Sequence, residues 1–140
     1  NIDLAIKQMK YFMNFEDDYK QSLRKKKDRE KYFYDLWKDL DPTPDTQHNE
    51  LMNEYYKRVS YANENFDGWK DGWETDRGMI YILFGPPDQI ERTNPSIANS
   101  TLYQIWTYNK INKQFIFKDQ NGFGDFRLDS PFNGLGSRRF

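Results

Sequence analysis

Asp76 and Asp88 flank the apolar run from Met79 to Phe84, so two carboxylates stand at the ends of one element. A pair of this kind could act as proton donor and base, as glycoside hydrolysis requires, but spacing along the chain does not set the distance between the carboxyl groups. The plainer account is preferred: Asp76 pairs with Arg77 or caps a backbone turn, and Asp88 caps the turn after Pro87. His48 is the only histidine and sits at a helix start beside a proline-containing loop. It suits a surface or capping role better than the base of a Ser-His-acid triad. One His and no Cys do not make a zinc site, and the lack of Cys excludes disulfides and thiol catalysis. Asp119, Asn121 and Asp125 imitate the oxygen ligands of a calcium loop. Phe123, however, occupies a position where an EF-hand needs an acid or amide, and a simple turn accounts for the segment. Gly85-Pro86-Pro87 is no phosphate loop, because proline has no N–H to offer and no Lys-Ser/Thr pair accompanies it. No cofactor and no metal are expected.

Composition limits what can position these residues. The chain has 140 residues, enough for one domain with a single core. Charged residues make up 31% and the mean hydropathy is -1.06, which alone would suggest disorder. Aromatic residues at 18% argue against it, because disordered segments are poor in them. The core must come largely from 11 Phe, 10 Tyr and 4 Trp. A net charge of -1 provides no global field toward nucleic acid or anionic lipid. No apolar run is long enough for a transmembrane helix. No signal peptide is visible, and a chain starting at Asn1 suggests a processed or trimmed start.

Helical spacing dominates the first half. Ile2, Ile6, Met9 and Met13 predict a helix over 2–13, and Glu16-Asp17-Asp18 begins a second short one with Tyr19 and Leu23 facing inward. Residues 24–30 are a dense charge run, read as a solvated turn and helix start rather than a basic docking patch. Tyr32, Phe33, Leu36, Trp37 and Leu40 predict a helix over 28–40, capped at Asp28 or a neighbour and stopped by Asp41-Pro42. Asp45 or Thr46 would cap the next helix, over about 47–66, with Leu51, Tyr55, Val59, Ala62 and Phe66 on one face. A loop with Trp69 and Trp73 follows, both read as packing anchors. Residues 79–84 read preferentially as a central strand, apolar on both faces, although a helix capped by Thr75 or Asp76 is the alternative. Residues 102–109 and 114–118 predict a hairpin, and Asn121-Gly122 turns 114–119 back onto 124–128. Phe115, Phe117, Phe126 and Leu128 should then share one core face. The expected architecture is α+β, with N-terminal helices packed against a small antiparallel sheet of about four strands.

The change from helical to strand-like pattern falls at Gly72-Trp73-Glu74-Thr75-Asp76-Arg77-Gly78. A Gly at each end frees the backbone, a Trp can anchor the loop, and Thr, Asp and Arg can bond to it. With Glu74 at the variable position, these residues resemble the signature of the GWxTD-domain family of bacterial proteins. Gly85-Pro86-Pro87-Asp88 downstream, and Asp41-Pro42-Thr43-Pro44 and Asn49-Glu50 upstream, extend the resemblance over roughly residues 16 to 130. It implies a structural signature of Trp73, Thr75, Asp76, Arg77, Gly78, Gly85, Pro86 and Asp88, with Asn49, Glu50 and Arg58 bonding the loop. It also implies a setting in exported or cell-envelope proteins, the periplasm included.

The expected organisation is one domain over 1–130: a helical half 1–66, a signature loop 67–78 and a sheet half 79–130. A flexible tail 131–140 follows. The preferred functional reading is a non-catalytic structural or protein-interaction domain docking to another envelope protein, with no nucleic-acid partner. Trp69, Arg138, Arg139 and Phe140 are the candidate contacts, since aromatic residues and Arg commonly anchor interfaces. The alternative is a glycan- or peptide-binding module using exposed aromatics. An enzyme built on Asp76, Arg77 and Asp88 ranks third.

Overall fold

The apolar stripe at the start of the chain forms helix α1 (Ile2–Gln8), continued by a 3-10 turn at Met9–Tyr11. The computed structural model describes residues 1–11, 25–45, 49–93 and 100–129. The helix expected from residue 16, His48, Thr46 and the tail 131–140 lie outside the described residues. Helix α2 (Lys26–Leu40) buries Phe33 and Trp37 and stops where Asp41, held extended by Pro42, leaves the helical region. Its N-cap is Lys25 rather than Asp28, which instead places its charge in the first turn. Helix α3 (Glu50–Asn65) starts at Asn49, not at Asp45; the Asn49 side chain accepts the Met52 N–H at 3.0 Å.

Residues 79–84 are not a strand. They belong to helix α4 (Asp76–Phe84), whose N-cap Thr75 accepts the Gly78 N–H at 3.0 Å. Ile80, Ile82, Leu83 and Phe84 are all buried, because α4 runs between α3 and the sheet. Met79 and Tyr81 are partly buried against the same core, so the run shows no polar face, and over six residues it looks like a central strand. The cap and Asp76 in the first turn are the local features that favour the helix.

The sheet therefore draws its first strand from elsewhere. Its four antiparallel strands are β1 (Gln89–Arg92), β2 (Tyr103–Tyr108), β3 (Lys113–Asp119) and β4 (Phe126–Leu128), in the order β1-β2-β3-β4. The register sets Trp106 opposite Phe115, Gln104 opposite Phe117, and Phe117 opposite Leu128. One face is thus apolar: Trp106, Tyr108, Phe115 and Phe117 are buried, with Phe126 and Leu128 packed against them. The β3–β4 reversal falls at Asn121-Gly122 as expected, but over six residues, held by the Asp119 carboxylate accepting the N–H groups of Gly122 and Gly124.

Aromatic rings join these layers. Trp37 of α2 lies 5.5 Å from Tyr55 and 5.7 Å from Tyr56 of α3, centroid to centroid. Phe66, just after α3, lies 5.5 Å from Trp106 of the sheet. Three phenol hydroxyls fasten the N-terminal segment: Tyr55 donates to the Gln8 carbonyl, Tyr56 to that of Ala5 at 2.7 Å, and Tyr11 to that of Trp73 at 2.8 Å.

Burial, which disfavours the charged form, raises the pKa of Tyr11, Tyr55, Tyr56 and Tyr108 well above that of a free phenol. In the unfolded chain these groups ionise near pH 10 (about the ordinary phenol value). Above that pH the unfolded form loses protons that the folded form retains, so stability falls as pH rises. The thermal midpoint should drop steeply above about pH 10, with tyrosinate absorbance appearing together with unfolding. Native protein in which these phenols ionise before the fold is lost would contradict this.

Candidate functional site

Gly72 begins a 3-10 turn (Gly72–Glu74) that lies directly on the last turns of α3. A Cβ on Gly72 would fall 1.8 Å from the Ala62 carbonyl oxygen, and one on Gly78 would fall 1.9 Å from the Gly72 carbonyl oxygen. Neither residue has positive φ. The two glycines are required for close backbone approach rather than for the conformational freedom that the sequence suggested. Thr75 secures the same contact twice, donating its hydroxyl to the Gly72 carbonyl at 2.8 Å while capping α4.

Trp73 fills the space below, 1% exposed, with its backbone N–H donated to the Asn63 side chain at 3.0 Å. Lys10 lies 5.0 Å above its ring. Asp76 accepts the Leu128 N–H of β4 at 2.8 Å, so the first turn of α4 holds a sheet edge. At the other end of α4, Gly85 takes φ 79°, and Tyr108 donates its hydroxyl to the Gly85 carbonyl at 2.8 Å. Arg58 bonds the Ile82 carbonyl at 3.0 Å, so it serves the end of α4. Asn49 bonds the Trp37 carbonyl at 2.6 Å and Glu50 accepts the Thr43 hydroxyl at 2.6 Å, both away from that loop. Pro86 is exposed beside Arg58 and Tyr81.

The two acids flanking 79–84 bond different elements. Asp76 serves β4, whereas Asp88 accepts the Asn109 N–H at 2.7 Å beyond the end of β2. Asp119 is committed to its own turn, and Asn121 accepts the Phe123 N–H at 2.8 Å. Among the described residues no three of His, Cys, Asp and Glu are grouped to hold a metal.

What the structure does bring together is a pocket of about 290 Å³ between the signature loop and the β3–β4 turn. Trp69 and Phe123 stand on its rim, 90% and 93% exposed. Trp69 is therefore no packing anchor. Its loop neighbours include Asp67 and Gly68, with no apolar face to cover it. Phe123 was not foreseen as a contact residue, although an aromatic between Gly122 and Gly124 at a turn tip has no strand face to enter. Inside the pocket the Arg77 guanidinium lies over two rings, 5.1 Å from Phe66 and 4.7 Å from Phe126. Burial lowers its pKa, and the like charge of Arg92 adds to the effect. Arg138, Arg139 and Phe140 lie outside the described residues.

The glycine contacts generate a graded prediction for stability in denaturant. Gly72→Ala and Gly78→Ala should each cost at least the ~1–3 kcal/mol of ordinary overpacking, since backbone must move. Trp73→Ala should cost about 3–5 kcal/mol and Thr75→Ala about 1 kcal/mol. Gly68, with nothing within 4 Å of its Cβ position, is the control and should tolerate Ala almost without change. Equal effects at Gly68 and Gly72 would refute the close-approach account.

No curated protein and no solved structure matches the chain. The family model of the GWxTD domain matches residues 2–127, starting earlier than the roughly residue 16 implied by the motif flanks. With the signature glycines, Trp73, Thr75 and Asp76 all occupied in the way just described, the chain belongs to the GWxTD domain family.

Proposed function

We propose that this is a non-catalytic domain that docks to another protein of the bacterial cell envelope, as part of an exported protein and of a larger envelope or secretion assembly. One observation carries the reading: Trp69 and Phe123 face solvent across a single pocket while Trp37, Trp73 and Trp106 are buried in the core. Large rings left in water at the mouth of a pocket gain most when a partner covers them. The acids favour the same reading, because Asp76, Asp88 and Asp119 each accept a backbone N–H and serve the fold. The envelope setting rests on the resemblance of this family to parts of exported proteins; among the described residues no helix is long and apolar enough to cross a membrane. An exposed Trp ring also favours a second reading, a glycan- or peptide-binding module, since planar rings stack on sugars.

The test is capture from native envelope extracts followed by mass spectrometry, with wild type compared to Trp69→Ala/Phe123→Ala. Recovery of a specific partner should fall by about tenfold or more in the variant, as at interface hot spots. Its thermal midpoint should stay within about 2 °C of wild type, because neither ring is in the core. Partner recovery unchanged by the double substitution would sink the reading. So would turnover of a glycan or peptide that Asp88→Asn abolishes.

A further inference from the structure

We propose that the Arg77 pocket binds a single carboxylate of a partner peptide, an Asp or Glu side chain next to an aromatic residue. This deepens the docking reading and rests on it.

Within the signature, Gly72 and Gly78 make backbone contacts, Trp73 is core, Thr75 is a cap and Asp76 holds β4. Arg77 does none of these. Among the described residues its side chain makes no hydrogen bond and no close ion pair; beside the two ring contacts it feels only the charges of Arg92, Asp119 and Asp125. A guanidinium carries five N–H donors in a planar fork that matches a carboxylate with two parallel bonds. Here the fork is half-buried, partly stripped of water, and open to the pocket. The rings of Phe66 and Phe126 fix its plane, so little side-chain freedom remains to be lost on binding. Charges of both signs lie nearby: Arg92, which the register places on the same sheet face as Gln104 and Phe117, is opposed by Asp119, which holds its own turn, and by Asp125, which is paired with Arg127.

The remaining lining groups set the ligand's character. Asp125 is paired with Arg127 at 3.0 Å, and Asn121 is bonded to the Phe123 N–H. Both acceptors are thus partly engaged, which leaves fewer groups for the hydroxyl network that a sugar needs. Asp67 stands exposed at the mouth and repels a run of acids, so one carboxylate is favoured over many. Trp69 and Phe123 offer an apolar landing for the neighbouring aromatic.

The test uses fluorescein-labelled octapeptides in a Gly-Ser background and reads fluorescence anisotropy with the full chain. One peptide carries Asp-Phe, a second carries Asn-Phe, and unlabelled tetragalacturonate serves as competitor. The Asp-Phe peptide should bind with a dissociation constant below about 1 mM. Binding should weaken at least about tenfold for the Asn-Phe peptide, for Arg77→Gln and for Trp69→Ala. The last variant changes a fully solvated ring and guards against loss of fold in Arg77→Gln. Absence of binding, equal affinity for the two peptides, or displacement by tetragalacturonate at lower concentration than unlabelled Asp-Phe peptide would overturn the assignment. The two readings fail separately. An envelope partner still captured in full by Arg77→Gln leaves docking standing and removes the carboxylate pocket. Binding of the peptides in the expected order, without any envelope partner, does the reverse.

Discussion

The approach of three backbone segments at Ala62, Gly72 and Gly78 is the constraint from which most of the structure follows. A side chain at either glycine would overlap a carbonyl oxygen, so the segments can meet only through bare backbone. The contact seats the signature turn on α3, and the Thr75 hydroxyl then fixes where α4 begins. Once α4 begins there, its apolar residues must lie between α3 and the sheet, and Asp76 arrives opposite the Leu128 N–H. Arg58 and Tyr108 finish the far end of the same helix. A nine-residue helix is too short to be stable alone; here the Thr75 cap and the Asp76 bond to β4 hold its start, and Arg58 and Tyr108 from other elements hold its end.

The same economy explains why a chain with 22 acidic residues shows so little acid chemistry. A carboxylate accepting a backbone N–H secures a donor that would otherwise be unsatisfied at a helix start or turn. Asp76, Asp88 and Asp119 all work in this way, on β4, on the turn after β2 and on the β3–β4 turn. Arg77 is the contrast within the signature, a cation whose side-chain contacts among the described residues are with rings rather than with backbone.

Much of this was readable from residue order where one face of an element is wet. Helices α2 and α3 and the β2–β3 pair alternate between apolar and polar at their own period, and their positions follow from that. The period fails at both extremes of burial. Helix α4 is apolar all round over 79–84, so that run reads as a strand, and β1, exposed along its length, has no pattern and reads as nothing at all. Only pairing with β2 defines β1, and pairing is not written in Gln89–Arg92 themselves. The sheet of about four strands was thus expected, but with the wrong first member. At the candidate site the residue types of the signature were legible, and the reason for the glycines was not, because close approach depends on carbonyls ten positions from Gly72 and six from Gly78. Whether a loop Trp is covered also depends on neighbours distant in sequence, which is why Trp69 and Trp73 part company.

The order of the strands has a consequence for how the chain acquires its shape. Every neighbour in the sheet is also a neighbour in sequence, and the α3–turn–α4 contact closes a short loop. Such contacts cost little chain entropy and form early. The bonds that hold α1 are of another kind: Tyr55 to Gln8 spans 47 positions and Tyr11 to Trp73 spans 62. On a growing polypeptide the first segment therefore meets its partners in stages, Arg29 first, Tyr55 and Tyr56 next, and the Trp73 carbonyl only when the signature emerges.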